Sequence, residues 1–237
     1  MKNMNDNDVI FDQRSDGLNA FFSKIYALMG AGVLVSALVS WIMITFFLDN
    51  MRAILQSGSL FFLVLWIIPL VMVVSLQGLA MKNSKMALPI FIGYAAFMGF
   101  LISFTLLMYT ATDITLAFIT ASAMFFGLSV YGRFTKRNLS GMGKALGFAV
   151  CGLIVTMLLN LFFASTGLTI LISLVGVVIF SGLIAWDNQK ITQVYNAHNG
   201  QVSDGWAISM ALSLYLDFIN MFLFLLRLFG IAGGNRD

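Results

Sequence analysis

Seven stretches of this chain are each long and apolar enough to cross a bilayer, which fixes the solvent before anything else about the fold. A spanning helix needs ~20 mostly apolar residues, because the hydrocarbon core is ~30 Å thick. Six runs meet this with no formal charge, approximately 25–48, 60–80, 86–109, 114–131, 145–164 and 168–186; a seventh, 206–226, carries one charge, Asp217. Only 10% of the 237 residues are charged and 60% are hydrophobic, where soluble domains carry about 25% charged residues. The mean hydropathy is +0.94. The sequence therefore predicts an all-α integral membrane protein, a single seven-transmembrane-helix bundle over 19–237 behind a polar tail over 1–18.

The connections between spans are short, which leaves no room for a second domain. Pro89 suits the first turn of the third span, whereas Pro69 inside the second predicts a kink. The tail holds Asp6, Asp8, Asp12 and Asp16 beside Lys2 and Arg14, the opposite of a basic leader followed by an apolar core, so no cleaved signal is expected. Counted over alternate loops, ten lysines and arginines fall on the side of the N-terminus and three, Arg52, Arg227 and Arg236, on the other. The positive-inside rule then predicts a cytoplasmic N-terminus. The net charge of +3 reflects those loops and points to no nucleic acid. A single cysteine, Cys151, excludes an intrachain disulfide.

The ten acidic residues are all aspartates, so membrane carboxylates are easily traced. Asp217 lies eleven residues into its span, ~16 Å along the helix and near the bilayer midplane. A charge there costs ~2.5–3.5 kcal/mol even on insertion scales, so it should face the bundle interior. Ser209, Ser213, Asp217 and Asn220 recur along one stripe of that helix, with apolar residues opposite. Asp187, in the run Trp186-Asp-Asn-Gln-Lys190, reads by itself as a helix-end charge at the interface. Were Asp217 level with it, the two carboxylates could not both ionise cheaply in one dry site and would share a proton near neutral pH. Lys82, at the end of the second span with Gln77 a turn earlier, is the candidate counter-charge, or else a plain loop lysine. Arg227 also reads as a positive charge at a helix end. His198 lies in the polar segment 188–204 and reads as a solvated loop residue, and Asp113 as a cap in a tight turn.

Enzymes of the membrane need groups this chain lacks. A retinal protein requires a lysine deep in its last span, and an intramembrane protease a histidine partner inside the membrane. Gly141-Met-Gly-Lys144 fails the phosphate-loop pattern, since residue 138 is Asn and Ala145 follows the lysine. No enzymatic activity and no cofactor are expected.

The run Ser213-Leu-Tyr-Leu-Asp-Phe-Ile-Asn220, continued to Gly230, closely resembles the signature last helix of the Bax inhibitor-1 family, and Trp186-Asp-Asn-Gln-Lys-Ile191 is similar to that family's Asp-x-x-x-Ile segment. The tail and Ala197-His-Asn-Gly200 resemble its bacterial branch. The resemblance implies a seven-helix bundle with the last helix at its centre, a bacterial plasma-membrane location and a pH-sensitive calcium leak. It also implies that Asp187 and Asp217 form a proton-sharing pair and a weak calcium foothold in the ion path, supported by Ser209, Ser213 and Asn220. In such members a basic residue ending the second span latches one aspartate. Lys82 stands there in place of the familiar arginine, without the fork for a bidentate contact. On this reading calcium is a permeant ion, and ionised Asp187 held near Lys82 closes the cytoplasmic mouth until protonation loosens it. The rival expectation is a regulatory membrane protein whose partners are other membrane proteins, such as a membrane-anchored protease. A third is proton-coupled transport of a small solute through Asp217.

Overall fold

The computed structural model describes residues 6–56 and 59–234, excepting the side chains of 6–14, 59–64, 66 and 67. The described chain forms eight helices: α1 (Asp6–Phe46), α2 (Leu48–Gln56), α3 (Ser59–Met81), α4 (Ala87–Leu106), α5 (Ala111–Phe134), α6 (Ser140–Phe163), α7 (Thr166–Ala197) and α8 (Asp204–Gly233). Every apolar run of the sequence lies on one of them, and among the described residues six, α1 and α4 to α8, are long and apolar enough to cross a membrane. The count of seven helices is corrected to eight by α2, a nine-residue helix between the first two apolar runs. Its Met51 is fully buried and receives the Ser103 hydroxyl of α4, while Asp49 and Arg52 pair on its exposed side. A one-sided helix of that length lies along a surface and does not span.

Local chemistry sets the helix ends. Thr110 caps α5 by accepting from the Asp113 amide, and Asp113 reaches back to the Thr110 amide, a capping box that satisfies two otherwise orphaned donors. Ser165 accepts from the Leu168 amide at the start of α7. Pro89 falls in the first turn of α4, where its missing N–H costs nothing, and α3 continues through Pro69.

α8 packs against α1, α3, α4, α5 and α7; α1 also packs on α4, α5 on α7, and α6 on α7. Most of α8 is buried, including Leu212 on the face opposite Asp217. The close approach of α1 and α4 uses small residues. Ser36 and Ser40 donate to the Ala95 and Gly99 carbonyls at 2.7 and 2.6 Å. Hydroxyls and glycines let helix backbones meet where lipid supplies no hydrophobic push.

One end of the bundle is tied by polar contacts. Lys24 of α1 pairs with Asp204 at the start of α8, Arg133 donates to Asn19, Asn83 accepts the Gly205 amide at 2.9 Å, and Gln189 donates to the Arg137 carbonyl at 2.7 Å. The helix α1 shows no break near residue 18.

Candidate functional site

The site grows out of four consecutive residues of α7, each turned to a different neighbour. The segment 188–197, expected as polar loop, is helix. Asn188 and Gln189 find partners, and Ile191 and Tyr195 are buried beside them. Asn188 is fully buried: its amide nitrogen donates to the Ser129 hydroxyl at 3.1 Å and to the Ile184 carbonyl at 2.8 Å. Its oxygen accepts from the Tyr26 hydroxyl at 2.5 Å. Gln189 accepts the Leu139 amide at 2.8 Å and so fastens the α5–α6 connection. Lys190 lies over the Trp186 ring at 4.8 Å. With its neighbours so anchored, Asp187 points at α8.

There it meets Asp217. Asp187 is 5% and Asp217 6% exposed, and each carboxyl lies within the other's electrostatic reach. Asp187 is therefore a residue buried within the bundle, about ten positions short of the end of α7, and not a solvated helix-end charge. An ionised carboxylate only accepts, so a hydrogen bond between the two would need a proton on one of them. Asp187 Oδ1 and Asp217 Oδ2 are buried and have no partner among the described residues. Orphaned buried oxygens are costly in a structural pair, which marks this one as available for chemistry. The cation whose field reaches both carboxyls is Lys190.

The approach of α7 is set from behind by Gly132 of α5: a Cβ on Gly132 would lie 2.1 Å from the Ala185 carbonyl oxygen. Nothing larger than glycine fits where the α5 and α7 backbones touch, two residues before Asp187.

The supporting stripe divides. Ser209 is buried and donates to Gln77 of α3 at 2.6 Å. Ser213 and Asn220 are half-buried, and Asn220 donates back to the Leu216 carbonyl at 2.8 Å. Lys82 is exposed just past α3 and forms no ion pair among the described residues, so this structure shows no latch between it and Asp187. His198 ends α7, exposed, with Nδ1 at 2.9 Å from the Val194 carbonyl and its ring against Trp206. Among the described residues no three acidic, histidine or cysteine side chains gather to hold a metal ion. Sequence reasoning missed Tyr26, Ser129, Asn188 and Lys190. The signal present was the unbroken polar run after Asp187, too polar for a span yet spaced to put Asp187, Ile191 and Tyr195 on one helix face.

The comparisons with known proteins agree with this architecture. The family model described as inhibitor of apoptosis-promoting Bax1 matches residues 18–234. The chain is 94% identical over 234 residues to an uncharacterized protein, YrjE, of Lactococcus lactis, covering 99% of this chain and all of that one. It is 50% identical over 227 residues to an uncharacterized membrane protein of Streptococcus pyogenes serotype M3, covering 96% and 99%. The inner membrane protein YbhL of Escherichia coli is 34% identical over 221 residues, with 90% and 92% covered. These bacterial relatives and the six long apolar helices make the chain a multi-pass integral membrane protein, and it belongs to the Bax inhibitor-1 family.

Proposed function

We propose that this protein is a pH-sensitive calcium leak channel whose sensor is the Asp187–Asp217 pair. One observation supports it above others: two buried carboxyls on adjoining helices lie within each other's electrostatic reach, each with one oxygen that has no partner among the described residues. Protons and calcium compete for those oxygens. As pH rises the shared proton leaves, the pair gains negative charge and its hold on calcium strengthens; as pH falls that hold weakens. Calcium takes ~6–8 oxygen ligands. Two carboxylates with the nearby Ser213 and Asn220 supply too few, so an ion would stay partly hydrated and leave readily, as conduction requires.

The path runs along α8 past Ser209, Ser213, the aspartate pair and Asn220. In this reading α3, 23 residues long, is the seventh span, and α8 is the centre of the bundle. The N-terminus and the lysine-rich end face the cytoplasm of a bacterial plasma membrane. Lys190, rather than Lys82, offsets the charge of the deprotonated pair.

The test is calcium flux into liposomes containing the purified chain across pH ~6–8, the range in which a shared carboxyl proton titrates, for wild type, Asp187→Asn and Asp217→Asn. Flux that varies with pH in wild type and does so in neither variant is the expected result. Flux no greater than in empty liposomes would discard the channel and favour a regulator that binds other membrane proteins.

A further inference from the structure

Between residues 207 and 227 the half-buried residues of α8 do not scatter. Ser213, Leu216, Asn220, Leu223 and Arg227 recur at intervals of three and four, one seam down the helix. Towards its start the seam is continued by Gly205 and Ser209, through which α8 meets α3. To one side it meets α7 through Asp217, Met221 and Phe224. Both α3 and α7 pack on α8, yet among the described residues they share no substantial packing with each other, so the seam runs along the gap between them.

Arg227 ends that seam. It lies 23 residues beyond Asp204, ~35 Å along the helix. With Asp204 paired to Lys24 at one membrane surface, a ~30 Å hydrocarbon core places Arg227 at the level of the opposite headgroups. Among the described residues the guanidinium has no ion pair and no hydrogen bond; it lies 5.6 Å from the Phe224 ring centre. The described acids at this end are engaged elsewhere, Asp49 with Arg52 and Asp113 in the Thr110 capping box. Tyr109, whose ring packs on Gly230, brings a phenol into the field of Arg227. A cation at this depth calls for an anionic partner, and phosphate matches its planar fork. An aromatic hydroxyl at its side suits the headgroup level.

We propose that Arg227 seats the phosphate of a phospholipid from the leaflet at the α4–α5 end. The assignment is independent of whether ions pass along α8. The experiment uses the full chain in detergent, with thermal unfolding and native mass spectrometry in the presence of phosphatidylglycerol, a diacylglycerol of the same chains, or inorganic phosphate. Phosphatidylglycerol should raise the thermal midpoint of wild type beyond the effect of the diacylglycerol, with one lipid per chain retained. Arg227→Gln should weaken retention roughly ten- to hundredfold, the scale of a lost charge-assisted contact, and Arg227→Lys should fall between. Equal protection of wild type by the two lipids, or equal retention by Arg227→Gln, overturns the proposal. Equal protection by inorganic phosphate alone makes this a free-anion site and overturns the lipid assignment. The wild-type comparison needs no variant, so it decides the matter even if Arg227→Gln fails to fold.

Discussion

Asn188 shows how a residue with no chemistry of its own sets the geometry of those that have it. It joins Tyr26 of α1 and Ser129 of α5 to α7, so the angular setting of α7 at Asp187 is held from two sides. Asn188→Ala leaves the Tyr26 hydroxyl and Ser129 without this partner, and an orphaned buried polar group costs ~1–3 kcal/mol. The expected outcome is a thermal midpoint several degrees below wild type in the same detergent, with Tyr26→Phe giving a smaller drop because it orphans one acceptor and removes its own donor. An unshifted midpoint in both would mean that the network bears no part of the stability. The two aspartates were legible in the sequence because a carboxylate among apolar residues has few innocent explanations. Asn188 was not, since an amide just past a hydrophobic run looks the same whether solvated or buried. Lys82 illustrates the converse: its position in the chain suggested a latch, but sequence position carries no information on where a long flexible side chain points.

At the scale of helices, the apolar runs located the six described helices long and apolar enough to cross a membrane, because hydropathy and length are direct consequences of the bilayer. They said nothing of α2, whose short alternation of apolar and polar residues lies below what a spanning window registers. They also ended α7 too early, because tertiary partners hold its last polar turns in place. What hydropathy cannot rank at all is the intimacy of helix pairs. Gly132 is unremarkable in sequence, yet it decides how near α7 comes to α5. A methyl group there would meet the Ala185 carbonyl oxygen at 2.1 Å, and backbone cannot yield as a side-chain tip can. Gly132→Ala should therefore push α7 away from α5 next to Asp187, at a cost of ~1–3 kcal/mol typical of overpacking. In reconstituted protein it should also alter the pH dependence of flux, whereas Gly147→Ala, with open space around the added carbon, should change neither stability nor flux. Equal behaviour of the two alanine variants would contradict the close approach.

Across the whole molecule, the polar contacts gather where the basic residues gather. Lys24, Arg133, Arg137 and Lys190 all take part in links at one end of the bundle, while the other end is closed by the Thr110 capping box, Tyr109 against Gly230 and Asn160 donating to Thr169. The lysine-rich end thus doubles as the collar that holds α1, the α3–α4 turn, the α5–α6 connection and the start of α8 together. If that end is cytoplasmic, the collar faces the same compartment whose pH reaches the aspartate pair, about 15 Å along α7 from its Ala197 end. The chain offers a convenient test, because Cys151 is its one thiol and lies inside α6, within the hydrocarbon. After Cys151→Ser, a cysteine introduced at Met108, exposed at the α4–α5 end, should react with a membrane-impermeant maleimide in intact cells. One introduced at Lys136, in the α5–α6 connection, should react only after the membrane is opened. The reversed pattern would turn the bundle over, place the collar outside and make external rather than cytoplasmic pH the signal nearest to Asp187.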